Sequence, residues 1–188
     1  MKIAITGHKH GIGKALTTVL TDRGHEIIGI SRSDGENIRR TVHTTNLIVP
    51  CDMFINNAQT AFAQTELLYS VWEKWQTQKK YIWNISTAMT EEPVHSPPPH
   101  GGTLTDIELN AYRVQKLALE EASKQLRYKS DWPKISIIRP GKVETNENNK
   151  GGFNVNEWAK ALIDIYLIHP NINITELSLG DTQSPLKI

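Results

Sequence analysis

The stretch Lys2-Ile3-Ala4-Ile5-Thr6-Gly7-His8-Lys9-His10-Gly11-Ile12-Gly13-Lys14-Ala15-Leu16 frames the reading of the whole chain. Lys2–Thr6 is an apolar run of strand length, as expected of a strand buried on both faces. Glycines at 7, 11 and 13 follow, and from Gly13 to Arg23 the residues Ala15, Leu16, Val19 and Leu20 recur at helical spacing before Gly24 ends the run. A glycine-rich turn between a first strand and a helix lets the backbone approach a pyrophosphate, whose charge the helix's N-terminal amides stabilise. A P-loop does not fit: five residues rather than four separate Gly7 from Gly13-Lys14, and Ala15 stands where a magnesium-binding hydroxyl is needed. A metal pair at His8 and His10 lacks a third ligand at a recognisable spacing.

Beyond this stretch, strand-length apolar runs recur at Glu26–Ile30, Asp52–Asn57, Tyr81–Ser86, Ile135–Arg139 and Ile172–Leu179. Helical stripes lie between most of them, at Thr65–Trp75, Ile107–Arg127 and Asn156–Ile168. Such alternation predicts an α/β fold: one Rossmann-like doubly wound parallel sheet of about six strands with helices on both faces, formed by residues 1–188 as a single domain. From Arg32 to Pro50 there are about nineteen residues, enough for one crossover but not for two crossovers and an intervening strand. An outer strand and one crossover helix are therefore expected to be missing, with Glu36–Ile48 as an irregular crossover helix. From Met89 to Asp106 four prolines and two glycines predict a long loop.

Composition narrows the partners. The 188 residues are 38% hydrophobic and carry 21 basic against 20 acidic side chains, a net charge of +1 with no block of like charge. That balance argues against nucleic-acid and membrane-surface binding and points to a small-molecule substrate. No apolar run approaches the ~18 residues of a membrane helix. Cys51 has no second cysteine to pair with, and the chain enters its first strand at once. Both features predict a cytoplasmic protein.

At the end of the second strand stand Ser31 and Arg32, where folds that prefer NAD place an acid on the ribose 2′-hydroxyl. A guanidinium matches a 2′-phosphate in charge and shape, so NADP(H) is expected over NAD(H), with Lys9 and His10 adding positive potential. Three further motifs follow in order: Asn56-Asn57-Ala58 after the third strand, Asn84-Ile85-Ser86-Thr87 after the fourth, and Tyr112-Arg113-Val114-Gln115-Lys116 on the next helix. Tyr112 and Lys116 lie one turn apart and share a face. The fifth strand ends in Arg139-Pro140-Gly141-Lys142-Val143-Glu144-Thr145.

With these five ordered motifs the sequence resembles the short-chain dehydrogenase/reductase family, as an unusually short member. The resemblance implies that Tyr112 is the general acid or base at the substrate oxygen. It implies that Lys116 lowers the tyrosine's pKa and holds the nicotinamide ribose, and that Thr87, with Ser86 in reserve, hydrogen-bonds the substrate. Gly7, Gly11, Ile12 and Gly13 would surround the pyrophosphate. Asn57 and Ala58 would line the adenosine side, and Pro140, Gly141, Val143 and Thr145 the nicotinamide.

Three departures stand out. Gln59 replaces the glycine of the family's Asn-Asn-Ala-Gly. No asparagine occurs from 60 to 83, where the family's relay asparagine belongs, and Gln64 is the nearest amide. Twenty-five positions separate Thr87 from Tyr112, a spacing closer to the nucleotide-sugar branch, although the stretch after the fifth strand has no room for that branch's substrate domain.

The sequence thus predicts an NADP-dependent oxidoreductase acting on a carbonyl or alcohol. The alternatives are a nucleotide-sugar epimerase or dehydratase with tightly held NADP, and a non-catalytic dinucleotide sensor. The family's habit of pairing through two helices implies a homodimer or homotetramer, with Trp72 and Trp75 either at that interface or in the core.

Overall fold

A computed structural model describes residues 1–91, 106–145, 151–168 and 172–180. Strand β1 (Lys2–Thr6) leads through the glycine turn into α1 (Gly11–Asp22) and β2 (Glu26–Ile30). A 3-10 turn at Arg32–Asp34 and the eight-residue helix α2 (Thr41–Ile48) cross to β3 (Met53–Asn56). Then come α3 (Ala63–Trp75), β4 (Tyr81–Ile85), α4 (Asp106–Lys129) and β5 (Lys134–Pro140). A two-residue ladder of β6 (Val143–Glu144) and β7 (Phe153–Asn154) precedes α5 (Val155–Ile168) and β8 (Glu176–Leu179).

Six strands form one sheet in the order β2-β1-β3-β4-β5-β8, every pair parallel. The expected omission is present: no strand lies between β2 and β3, and Thr41–Ile48 is helical. The order reverses at β1, so the carboxyl ends of β1 and β3 diverge around a crevice suited to a ligand.

Each face of the sheet carries its own apolar layer. Phe54, Ile82 and Ile135 pack against Leu67, Leu68 and Val71 of α3 and Leu119 and Leu126 of α4. On the other face Ile3, Ile55, Trp83 and Ile138 meet Leu16 and Leu20 of α1 and Trp158 and Leu162 of α5. Full burial of such side chains stabilises the fold by ~1.5–3 kcal/mol each. Trp75 is wholly buried and donates from its indole nitrogen to the Val49 carbonyl at 3.2 Å, while Trp72 is 8% exposed. Both tryptophans therefore belong to the core, and neither offers area for a partner.

Several boundaries differ from the sequence reading. The crossover helix expected over Glu36–Ile48 is confined to Thr41–Ile48, because Asn37 forms a local turn ahead of it, its side chain accepting from Arg39 N. Helix α1 begins at Gly11 rather than Gly13, since glycine at a helix start costs little when the turn itself requires it. The last strand is confined to Glu176–Leu179; before it no ladder forms, the Thr175 carbonyl accepting from Ile137 N and Arg127 and the Ile174 carbonyl from Ser136 and Tyr166. Of the loop expected at Met89–Asp106, residues 92–105 lie outside the described residues.

Candidate active site

The glycine turn is built by contacts that leave no room for larger residues. Gly7 has φ +72°, and its amide donates to the Ile30 carbonyl at the end of β2. A Cβ on Gly13 would lie 2.2 Å from the Gly7 carbonyl oxygen, so only glycine lets the first turn of α1 close against β1. Asn57 braces the same turn by donating from its amide side chain to the Thr6 carbonyl, and Thr6 Oγ1 accepts from the backbone of Asn57 and Ala58. Helix α1 has no side-chain cap and no acid in its first turn. Its amino end is thus suited to an anion, and the cradle fits a dinucleotide's pyrophosphate.

Beside the turn, at the carboxyl ends of β4 and β5, lies a cavity of about 250 Å³. It brings together Ile12, Asn57, Ser86, Thr87, Tyr112, Lys116, Pro140, Gly141, Val143 and Thr145, all singled out in the sequence. Gln59, Ile85 and Lys142 also line it. Lys9, His10, Ser31 and Arg32 do not line this cavity; Lys9 pairs instead with Asp34 in the turn after β2.

Tyr112, Lys116 and Glu120 occupy successive turns of α4. Burial raises the Tyr112 phenol's pKa above its ordinary value, with the neighbouring Thr87 hydroxyl opposing that rise. Lys116 is 3% exposed and its Nζ sits 5.6 Å from the centre of the Tyr112 ring. Nζ donates to Gln64 Oε1 at 2.9 Å and to the Ile85 carbonyl at 2.7 Å. Burial lowers the lysine's pKa to about 7, with the charge of Glu120 opposing that fall. The expected lowering of the phenol's pKa by Lys116 is therefore not seen here: burial disfavours phenolate and ammonium alike.

Ser86 is also differently placed from the reserve role expected of it. Its hydroxyl donates to Glu120, a buried carboxylate that also accepts from Thr90 Oγ1 and, through both oxygens, from Arg139. Burial alone would raise the Glu120 pKa, but the bonds from Arg139, Ser86 and Thr90 outweigh it and hold the carboxyl below its ordinary range. Arg139 reaches on to Glu176 of β8 at 2.8 Å. Thr87 instead turns its hydroxyl toward Tyr112 and caps the short turn Ala88–Thr90, which Arg113 fastens by donating to the Met89 carbonyl.

No family model matches the chain, and no curated protein matches it. Solved structures of similar fold include an alcohol dehydrogenase from the archaeon Thermococcus sibiricus complexed with 5-hydroxy-NADP, 14% identical with a TM-score of 0.71 over 100% of both chains. A 3-alpha-hydroxysteroid dehydrogenase from Pseudomonas sp. B-0831 complexed with NADH is 20% identical, with a TM-score of 0.67 over 95% of this chain and 94% of that one. A short chain dehydrogenase from Burkholderia cenocepacia in complex with NADP gives 13% and 0.72 over 96% and 88%. The fold is that of the short-chain dehydrogenases/reductases.

Within the short-chain dehydrogenase/reductase fold, this chain's departures fall around the lysine. Gln64 is 2% exposed, and its Nε2 donates to the carbonyls of Asn56 and Ile85. It is the amide at Lys116, supplied from the start of α3. Gln59, in place of the family's glycine, donates to Gln115 Oε1 and closes the cavity's side next to Lys116. Sequence reasoning gave neither a contact for Gln64 nor any role for Glu120. The one sequence signal for Glu120 was its place four residues beyond Lys116, on the same helix face.

Proposed function

We propose that the chain is an NADP-dependent oxidoreductase that interconverts a carbonyl and an alcohol in a single dinucleotide-binding unit. One observation carries this reading: the phenol of Tyr112, the hydroxyl of Thr87 and the ammonium of Lys116 converge on one small cavity beside an uncapped glycine turn. The pyrophosphate would lie at the amino end of α1, the nicotinamide ribose near Lys116 and the carboxamide near Thr145. Ser31 and Arg32 would meet the 2′-phosphate, because a guanidinium and a hydroxyl suit that group and neither of the two residues directly after β2 is acidic. NADPH, when bound, supplies the hydride that reduces the carbonyl carbon.

The chain's own residues handle the proton. As the carbonyl oxygen gains charge, Tyr112 donates its hydroxyl proton to it, and the phenolate that remains is reprotonated from solvent; the reverse sequence oxidises an alcohol. Thr87 orients the substrate oxygen by hydrogen bonding. A positioned general acid contributes ~10²–10⁴-fold to the rate. The burial that raises the Tyr112 pKa keeps the phenol protonated at neutral pH, which suits the reductive direction.

NADPH oxidation against a panel of aldehydes and ketones tests the reading. A substrate should be found whose turnover falls at least about a hundredfold in Tyr112→Phe while NADPH affinity stays within about twofold. Equal turnover by the variant overturns the mechanism, and tight dinucleotide binding with no turnover on any carbonyl leaves a sensor in its place.

A further inference from the structure

A second cavity, of about 470 Å³, lies at the other end of the sheet from Tyr112. Met53, Tyr81 and Lys134 are the first residues of β3, β4 and β5, and all three line it, so it opens at the amino ends of the strands. The five residues of β4, rising ~3.3 Å each, separate it from the cavity at the carboxyl ends, and nothing bound in one can react in the other. Its walls are aromatic. Tyr81 and Trp132 meet edge to face with ring centres 5.8 Å apart, and Trp83 and Tyr166 lie tilted at 4.1 Å. Of the residues around it, Tyr81, Leu167 and Ile172 stay 38%, 52% and 59% exposed, apolar surface that neither core layer covers.

Charge in this cavity has one sign. No carboxylate lines it. Lys134 makes no ion pair among the described residues, and its Nζ stands 5.1 Å from the centre of the Trp132 ring. His25 also lines the space; burial, together with the positive charges near it, holds its pKa below the ordinary value, so its imidazole is uncharged at neutral pH. We propose that this cavity is a second binding site, independent of the dinucleotide cleft, for a small planar aromatic molecule that carries a carboxylate. The ring system takes the aromatic walls, where stacked and edge contacts add to the gain from burial. The carboxylate meets the Lys134 ammonium, which has no acid of its own chain to compete for it. A cationic ligand is repelled there, a neutral one leaves the ammonium unused, and a compact anion gains nothing from the rings. A concave, mainly apolar space of this volume with a few polar groups at its edge is the ordinary form of a small-molecule site.

Calorimetric titration with naphthylacetate and its uncharged analogue naphthylacetamide tests this on the wild type, Lys134→Met and Leu167→Trp. The wild type should bind the acid with a Kd below about 1 mM, and the amide about three- to fivefold more weakly. Lys134→Met keeps the apolar stem and removes the charge, so it should weaken the acid about three- to fivefold and change the amide less than about twofold. Leu167→Trp, at a half-exposed position on α5, fills the space and should weaken both probes at least about tenfold. Ile172→Trp fills it from the chain ahead of β8 and takes the place of Leu167→Trp if thermal melting shows that variant unfolded. No binding of the acid by the wild type at ~5 mM overturns the proposal. So does equal affinity for acid and amide, an equal loss of both in Lys134→Met, or undiminished binding in a folded tryptophan variant. A dimer in sedimentation that Leu167→Trp dissociates, with neither probe bound, assigns the surface to a second copy of the chain and likewise overturns it.

Discussion

Lys116 and Gln64, 52 positions apart in sequence, meet inside the protein through a 2.9 Å hydrogen bond in which the ammonium donates to the amide oxygen. The geometry admits one orientation of that amide. Its nitrogen is occupied by the carbonyls of Asn56 and Ile85, so only the oxygen can face the lysine. Gln64 therefore satisfies a buried cation that has only backbone oxygen as its other acceptor.

Burial of this cation makes stability depend on pH. Lys116 titrates at about 7 in the folded chain against an ordinary 10.5, so between those values the unfolded chain binds more protons than the folded one. Stability should rise with pH across that window: the cost of the buried ammonium is fully present below pH about 7 and is relieved above it. Thermal unfolding of the cofactor-free protein from pH about 7 to about 9.5 checks this, with Lys116→Met expected to lose the rise. Parallel pH profiles for the two proteins would refute it.

The Glu120–Arg139 pair sits at 4% and 6% exposure behind the cavity. Arg139→Met leaves the Glu120 carboxylate buried with hydroxyl partners alone and should cost ~3–5 kcal/mol, read from urea unfolding. Replacing both partners, as Glu120→Leu with Arg139→Met, should cost less than the sum of the single changes, because no lone charge then remains. Additive costs would show that the two groups do not act as a pair.

The neighbouring hydroxyls Ser86 and Thr87 should separate cleanly in kinetics. Thr87→Val removes the hydroxyl that meets Tyr112 and should reduce kcat about tenfold or more, whereas Ser86→Ala removes a bond to Glu120 and should act mainly on stability, by ~1–3 kcal/mol. A larger loss of kcat in Ser86→Ala would reverse the assignment.

What the sequence discloses here is what depends on local spacing. The turn at Gly7–Gly13 is legible because glycine is required there sterically, and the missing strand is legible because nineteen residues cannot hold a second crossover. Tyr112 and Lys116 are legible as an ordered motif on one helix face. The partners of these groups are not, since Gln64 reaches Lys116 and Lys9 reaches Asp34 only after separate elements have packed. The pKa of Lys116 is hidden for the same reason: burial, not sequence position, lowers it. At Ile172–Thr175 an apolar run reads as strand, yet bonds from Ile137, Ser136, Arg127 and Tyr166, three of them from side chains, anchor it without a ladder.

The loss of the outer strand leaves β2 with β1 as its one neighbour in the sheet. A parallel sheet can be shortened only from its rim, where removing a strand breaks one ladder and not two. At the β2 rim of this chain that shortening has reached its limit. The Ile30 carbonyl, the last of β2, accepts the Gly7 amide at 2.8 Å and so holds the bend from which the phosphate cradle is made. Deleting one more strand from that rim would remove a support of the cradle itself, so on that side β2 is the last strand, and this binding turn cannot spare it.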